Sequence, residues 1–141
     1  MITHWQWCAL GSAFFAGLTA VLLKWGLAAI PSNTATLIRT LMVCGFLSVF
    51  VALRHEWVNP FVLDKRGLAA LMLSALATTI SWLLYFRALE NGSVSVVASL
   101  DKLSLLFTVI LSVLFFGERL GLMQCSGVVL MLVGAVLVAL K

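Results

Sequence analysis

The sequence predicts an all-α integral membrane protein with five transmembrane helices in a single domain over residues 1–141. Composition is the first sign: 63% of residues are hydrophobic and 10% charged, against about 45–50% and about 25% in soluble domains. The mean hydropathy of +1.16 agrees. Five apolar runs separated by short polar breaks are the second sign, and the lack of any strictly alternating segment, which excludes a closed barrel, is the third. Five helices of about 20 residues use roughly 100 of the 141 residues, so no extramembrane domain fits in the remainder.

The first span is expected over about 7–30, ended by Pro31-Ser32-Asn33, whose fixed φ and capping groups restart a helix near Thr34. This run is too long for a signal-peptide core, and residues 1–6 carry no Lys or Arg, so an uncleaved span is expected. The second is expected over about 35–53, the third over 68–89, the fourth over 94–116 and the fifth over 122–140. Only the connection at 54–67 is long, and Trp57 and Phe61 among Arg54, His55, Lys65 and Arg66 give it an interfacial character. Trp5, Trp7 and Trp25 read as belt residues in the same way. The two prolines, Pro31 and Pro60, lie outside the spans, so bends are expected at glycines such as Gly17, Gly45, Gly127 or Gly134. Asn91-Gly92-Ser93 matches a glycosylation acceptor pattern but reads as turn chemistry, as does Gly117-Glu118-Arg119.

The net charge of +4, nine Lys/Arg less five Asp/Glu, is scattered through apolar runs, which fits attraction to anionic lipid and excludes a nucleic-acid interface. An odd number of spans puts the termini on opposite sides. Arg54, Lys65, Arg66 and Arg119 fall on the side of Met1, and Lys24, Arg39, Arg87 and Lys141 on the side of Lys141. Four cations against four leave the chain free to insert in either sense, and discounting Lys24 and Arg39 tilts the bias towards the Met1 side facing the cytoplasm.

Several charges lie within the spans. At 1.5 Å per residue Lys24 is about 9 Å from the nearer end of the first helix, Arg39 about 6–9 Å from that of the second, and Asp101 and Lys102 about 10–12 Å in on the fourth. Each costs about 2.5–3.5 kcal/mol at a helix centre unless paired or hydrated, so they are expected to face one another or a cavity. Asp101, Ser104, Thr108 and Ser112 share an arc of roughly 80° on the fourth span, and Ser74, Thr78, Ser81 and Tyr85 one of about 60° on the third. Lys24 continues a ridge of small residues, Ala13, Gly17, Ala20 and Ala28, of the kind that lets helices approach closely. Arg87 lies opposite the third helix's polar stripe and reads as a snorkelling anchor.

The functional reading is a polar pocket lined by Lys24, Arg39, Asp101 and Lys102, with Ser104 and Thr108 on its wall and Trp82 and Tyr85 as stacking surfaces. Asp101, the only deep carboxylate, is the candidate for proton or cation coupling, while Lys24 and Arg39 suit a carboxylate or phosphate on a solute. Lys102, about 100° round the helix from Asp101, is a candidate for pairing instead. The architectural alternative makes the Ser/Thr stripes helix-packing glue and Asp101–Arg39 a structural ion pair, in a membrane subunit or scaffold that transports nothing. An enzyme is not expected, since no nucleophile-base pair, phosphate loop or metal set occurs. No cofactor is expected, and Cys8, Cys44 and Cys125, without CxxC or metal-ligand spacing, read as buried small hydrophobes.

Residues 81–120 resemble the EamA-type transporters of the drug/metabolite transporter superfamily. In that pattern the third helix ends in Tyr-x-x-Ala-Leu, the fourth carries Leu-x-x-Leu-Ser and a Gly-Glu closes it. Here these are Tyr85-Phe86-Arg87-Ala88-Leu89, Leu100-Asp101-Lys102-Leu103-Ser104 and Gly117-Glu118. The similarity extends to Leu18-Thr19-Ala20-Val21-Leu22-Leu23-Lys24 and to Arg39, and so covers essentially the whole chain. It implies one half of a ten-helix inverted-repeat transporter fold in a bacterial cytoplasmic membrane, exporting metabolites, amino acids or toxic compounds. This chain lacks the proline that the pattern places in the fourth helix around 98–105. Because alternating access needs two halves, the expected partner is a second copy, inserted antiparallel, or a related half-transporter.

Overall fold

The computed structural model describes residues 4–59 and 64–140. Every regular element among them is an α-helix, and five candidate spans are long and apolar enough to cross a membrane. The helices are α1 (His4–Gly26), α2 (Ser32–Leu53), α3 (Lys65–Asn91), α4 (Val94–Asp101), α5 (Ser104–Phe116) and α6 (Leu122–Ala139), with α4 and α5 the two halves of the fourth span.

The boundaries follow from local chemistry. α1 stops at Gly26, short of the expected 30, because glycine ends helices readily and the residue before Pro31 is driven out of the α region. Pro31, with φ −56°, starts α2 at Ser32 rather than Thr34, and its carbonyl accepts from the Ala35 N–H at 2.9 Å. At the far end the His55 N–H donates to the Ala52 carbonyl and the Glu56 N–H to that of Val51, both at 3.1 Å. That is a Schellman closure, with His55 itself in the left-handed region at φ 55°. Gly117, at φ +64°, closes α5 through its N–H on the Val113 carbonyl, and the Gly121 N–H donates to Gln124 Oε1 at 2.8 Å to begin α6. Pro60 and Phe61 lie outside the described residues.

The chain forms two compact units: Met1–Lys24 with Asn91–Lys141, and Trp25–Glu90. In the first, α4 packs along α6, with Val97 and Ala135 buried, while α5 touches α6 only lightly and buries none of its residues. In the second, the guanidinium of Arg39 on α2 lies over the ring of Trp82 on α3.

Two expectations need correction. The fourth span, expected as one helix over 94–116, is broken at Lys102-Leu103. At the break the backbone tightens to i→i+3 bonds: Lys102 N–H to Ser99, Leu103 to Leu100, Leu105 to Lys102 and Leu106 to Leu103, at 3.0–3.1 Å. No proline or glycine stands there, so the interruption comes from this tighter winding. The three cysteines are exposed rather than buried. In lipid an apolar side chain gains nothing by leaving the hydrocarbon, so the burial habit of cysteine in water-soluble cores does not carry over. The same reason leaves Ala13 and Gly17 uncovered, with only Ala20 of the small-residue ridge buried in α1.

Candidate functional site

Unit Trp25–Glu90 holds a groove of about 620 Å³ between α2 and α3. Asn33, Thr36 and Thr40 come from one helix and Ser74, Thr78, Thr79 and Trp82 from the other. The spacing explains the lining: residues three, four and seven apart on a helix share a face, which puts Asn33, Thr36 and Thr40 together on α2. Three of the hydroxyls are already bonded to their own helix. Thr36 donates to the Ser32 carbonyl at 2.8 Å, Thr40 to Thr36 at 2.7 Å and Thr79 to Ala75 at 2.8 Å. Their protons are thereby engaged, and the wall they form presents oxygen lone pairs.

Arg39 stands between Thr36 and Thr40 in sequence. Its guanidinium carbon is 4.5 Å from the centre of the Trp82 ring and 5.9 Å from that of Phe86, which is buried at 1% exposure. Stacking on aromatic faces suits a guanidinium because the ring's negative face meets the delocalised charge. Trp82 also lines a second, apolar groove of about 400 Å³ with Val43, Cys44, Leu47, Val51 and Trp57, so its indole borders both spaces.

In the other unit, Lys24 is half-buried and its Nζ donates to the Gly92 carbonyl at 3.0 Å. That bond reaches the turn between α3 and α4, where a helix C-terminus and its bend leave carbonyls in need of donors. Lys102 Nζ lies 4.0 Å from Asp101 Oδ2, and both side chains are exposed, Asp101 at 44%. Thr108 donates to the Ser104 carbonyl at 2.9 Å and Ser112 to that of Val109 at 3.0 Å, so this stripe too is bonded to its own helix. Tyr85 is half-buried on α3.

Of the sequence-level candidates, Arg39 and Trp82 meet in one unit, and in the other Asp101 and Lys102, neighbours in the chain, approach to 4.0 Å. Phe86, Thr36, Thr40, Asn33 and Thr79 belong to the groove and its cation but were not signalled as candidates by the intramembrane charges. The signal that finds the α2 residues is the common face of Asn33, Thr36 and Thr40. No group of three or more His, Cys, Asp or Glu suited to a metal occurs among the described residues.

The family model for EamA-like transporters matches residues 3–140. A protein of Sinorhizobium sp named as an uncharacterized transporter in the cobO 3' region is 48% identical over 139 residues, covering 99% of this chain and 99% of that protein. An uncharacterized protein of Methanocaldococcus jannaschii is 33% identical over 95 residues, 67% of this chain and 68% of its own. No solved structure matches the chain.

Proposed function

The chain belongs to the EamA-like transporter family, and on that premise we propose that it exports small metabolites or drugs by alternating access, working as a dimer of half-size units in a bacterial cytoplasmic membrane. It is an integral multi-pass membrane protein of a transporter family.

The observation that carries the proposal is the groove between α2 and α3, largely apolar with hydroxyl and amide groups on its walls, an indole in its lining and a cation stacked on that indole, between helices long and apolar enough to span a bilayer. Such groups are costly in hydrocarbon and are kept where solute or water meets them. Alternating access requires two halves that rock around a shared site, and five spans are the complement of one such half. A second copy inserted in the opposite sense completes the inverted repeat, and the near-equal distribution of cations permits that insertion. In this scheme Arg39, Trp82 and Tyr85 meet the solute, Ser104 and Thr108 line its route, and Asp101 couples transport to a proton or cation, with Lys102 as its counter-charge. Lys24, bonded to the Gly92 carbonyl, takes the part of a structural tie instead of a solute ligand. That bond is also what favours the architectural reading for this one residue.

The test combines topology with flux. Reporters fused after residue 141 are expected to reveal both orientations, and a single orientation excludes the antiparallel homodimer. In proteoliposomes, uptake of candidate metabolites is expected to respond to a pH gradient, and Asp101→Asn to remove that response at normal expression. Unchanged, gradient-driven flux in Asp101→Asn removes this residue from the coupling mechanism.

A further inference from the structure

Within its unit, Arg39 is an intramembrane cation without a counter-charge. Its half-buried guanidinium is engaged through its face, by Trp82 at 4.5 Å and Phe86 at 5.9 Å. No hydrogen bond or ion pair reaches it from the described residues of Trp25–Glu90; Glu56 of that unit is paired with Arg54 at 3.4 Å. Among the described residues no buried side-chain nitrogen lacks a partner, so the guanidinium nitrogens, which have none in their unit, are open to the surroundings and not sealed in protein. A guanidinium held by its face keeps its N–H donors free in the plane, in the fork geometry that matches two oxygens of one anion.

The surroundings narrow what can bind. Lys24, the other cation suited by sequence to an anion, is donating to the Gly92 carbonyl. The nearby hydroxyls of Thr36, Thr40 and Thr79 have their protons on helix carbonyls, so they offer lone pairs, which repel an anion. Arg39, stacked on the Trp82 ring that lines the groove, brings positive charge to its margin, where Asn33, Ser74 and Thr78 of the lining can add N–H and O–H donors. An intramembrane cation without a counter-charge is disfavoured by hydrocarbon, and an oxyanion from outside the chain offsets that.

We propose that Arg39 is the anion-recognition site of this protein: its fork binds the carboxylate or phosphate of an organic acid whose apolar body lies along the groove against Trp82. The proposal rests on the transporter reading and adds the chemical class of solute to it. Trp82 has a double part, orienting the guanidinium through its face and supplying an apolar surface to the ligand.

The experiment is equilibrium binding to the purified full-length protein, without any gradient. Benzoate and phenyl phosphate are the anionic probes, and benzamide and benzylamine their neutral and cationic counterparts, read by tryptophan fluorescence and by thermal unfolding. Benzoate or phenyl phosphate is expected to saturate a signal that the two counterparts do not produce. Arg39→Gln is expected to weaken this binding about 10-fold or more, and Arg39→Lys, which keeps the charge but loses the fork, by less. Arg54→Gln serves as the exposed-cation control and is expected to bind as the unaltered protein does. Equal binding by Arg39→Gln, or equal binding of benzamide and benzoate, overturns the proposal. If Arg39→Gln does not fold, Trp82→Leu tests the same stack, and its retention of full benzoate affinity also overturns it.

The same titration in phosphatidylcholine vesicles with and without phosphatidylglycerol separates the two sources of oxyanion. Arg39-dependent competition by phosphatidylglycerol assigns the site to lipid phosphate and overturns the carried-solute assignment; its absence supports a free solute. Failure of the transporter reading looks different: Arg39-dependent binding persists while sealed vesicles show no flux of any solute.

Discussion

Lys24 Nζ and the Gly92 carbonyl oxygen, 68 positions apart in the chain, are joined by a hydrogen bond of 3.0 Å. It ties α1 to the turn that precedes α4, in the unit formed by Met1–Lys24 and Asn91–Lys141. An ammonium on a backbone carbonyl satisfies two groups at once: a cation that hydrocarbon rejects and an acceptor that a helix end leaves open.

Replacing this lysine therefore acts on stability first. Lys24→Met is expected to lower the unfolding free energy by about 1–3 kcal/mol, the range for losing a charge-assisted bond and leaving its partner unsatisfied. Thermal or denaturant unfolding in detergent reads the loss. Lys24→Arg, able to donate to the same carbonyl, is expected to recover part of it.

Arg39 and Trp82 are expected to be energetically coupled. A double-mutant cycle with Arg39→Gln and Trp82→Leu, measured by unfolding in detergent, is expected to give about 0.5–2 kcal/mol of interaction, the scale of a cation–π contact between partly desolvated groups. Additive effects count against the stack at 4.5 Å as a stabilising contact.

The break in the fourth span predicts a local dynamic signature. Amides of Lys102, Leu103, Leu105 and Leu106, held by i→i+3 bonds, are expected to exchange faster than those of α4 and α6. Hydrogen exchange read by mass spectrometry on the reconstituted protein checks this, and uniform protection across 94–116 contradicts it.

Two caps in the left-handed region make an opposed pair of predictions. Gly117 has φ +64° and open space where a Cβ would stand, so Gly117→Ala is expected to cost about 1 kcal/mol through the backbone alone. His55 carries a full side chain at φ 55°, so His55→Gly is expected to relieve strain there and raise stability by about 0.5–1 kcal/mol. Unfolding of both variants under one set of conditions reads the signs.

The reading of sequence and the structure agree most closely where the physics is local. The second helix illustrates this: expected over 35–53, it is found at Ser32–Leu53, because Pro31 and the apolar run define it without reference to any other element. Arg39 and Trp82 are likewise recognisable as unusual residues in apolar helices. Their meeting is not, since a position on α2 and one on α3 are brought together by the crossing of two helices that their own hydropathy leaves undetermined. The exposed Cys44 and the uncovered Gly17 mark where habits learned from water-soluble cores mislead, because lipid supplies no drive to bury such residues.

Hydropathy along the chain was enough to establish membrane residence, helical class, the count of spans and the presence of ionisable groups among them, because transfer into hydrocarbon depends on what each segment is made of. Partner choice came only from the folded chain: Lys24 on a carbonyl, Arg39 on an indole, and a fourth span interrupted without proline. Those outcomes turn on distances and directions between elements, and in lipid they are set by packing shape and hydrogen-bond geometry, which composition does not encode.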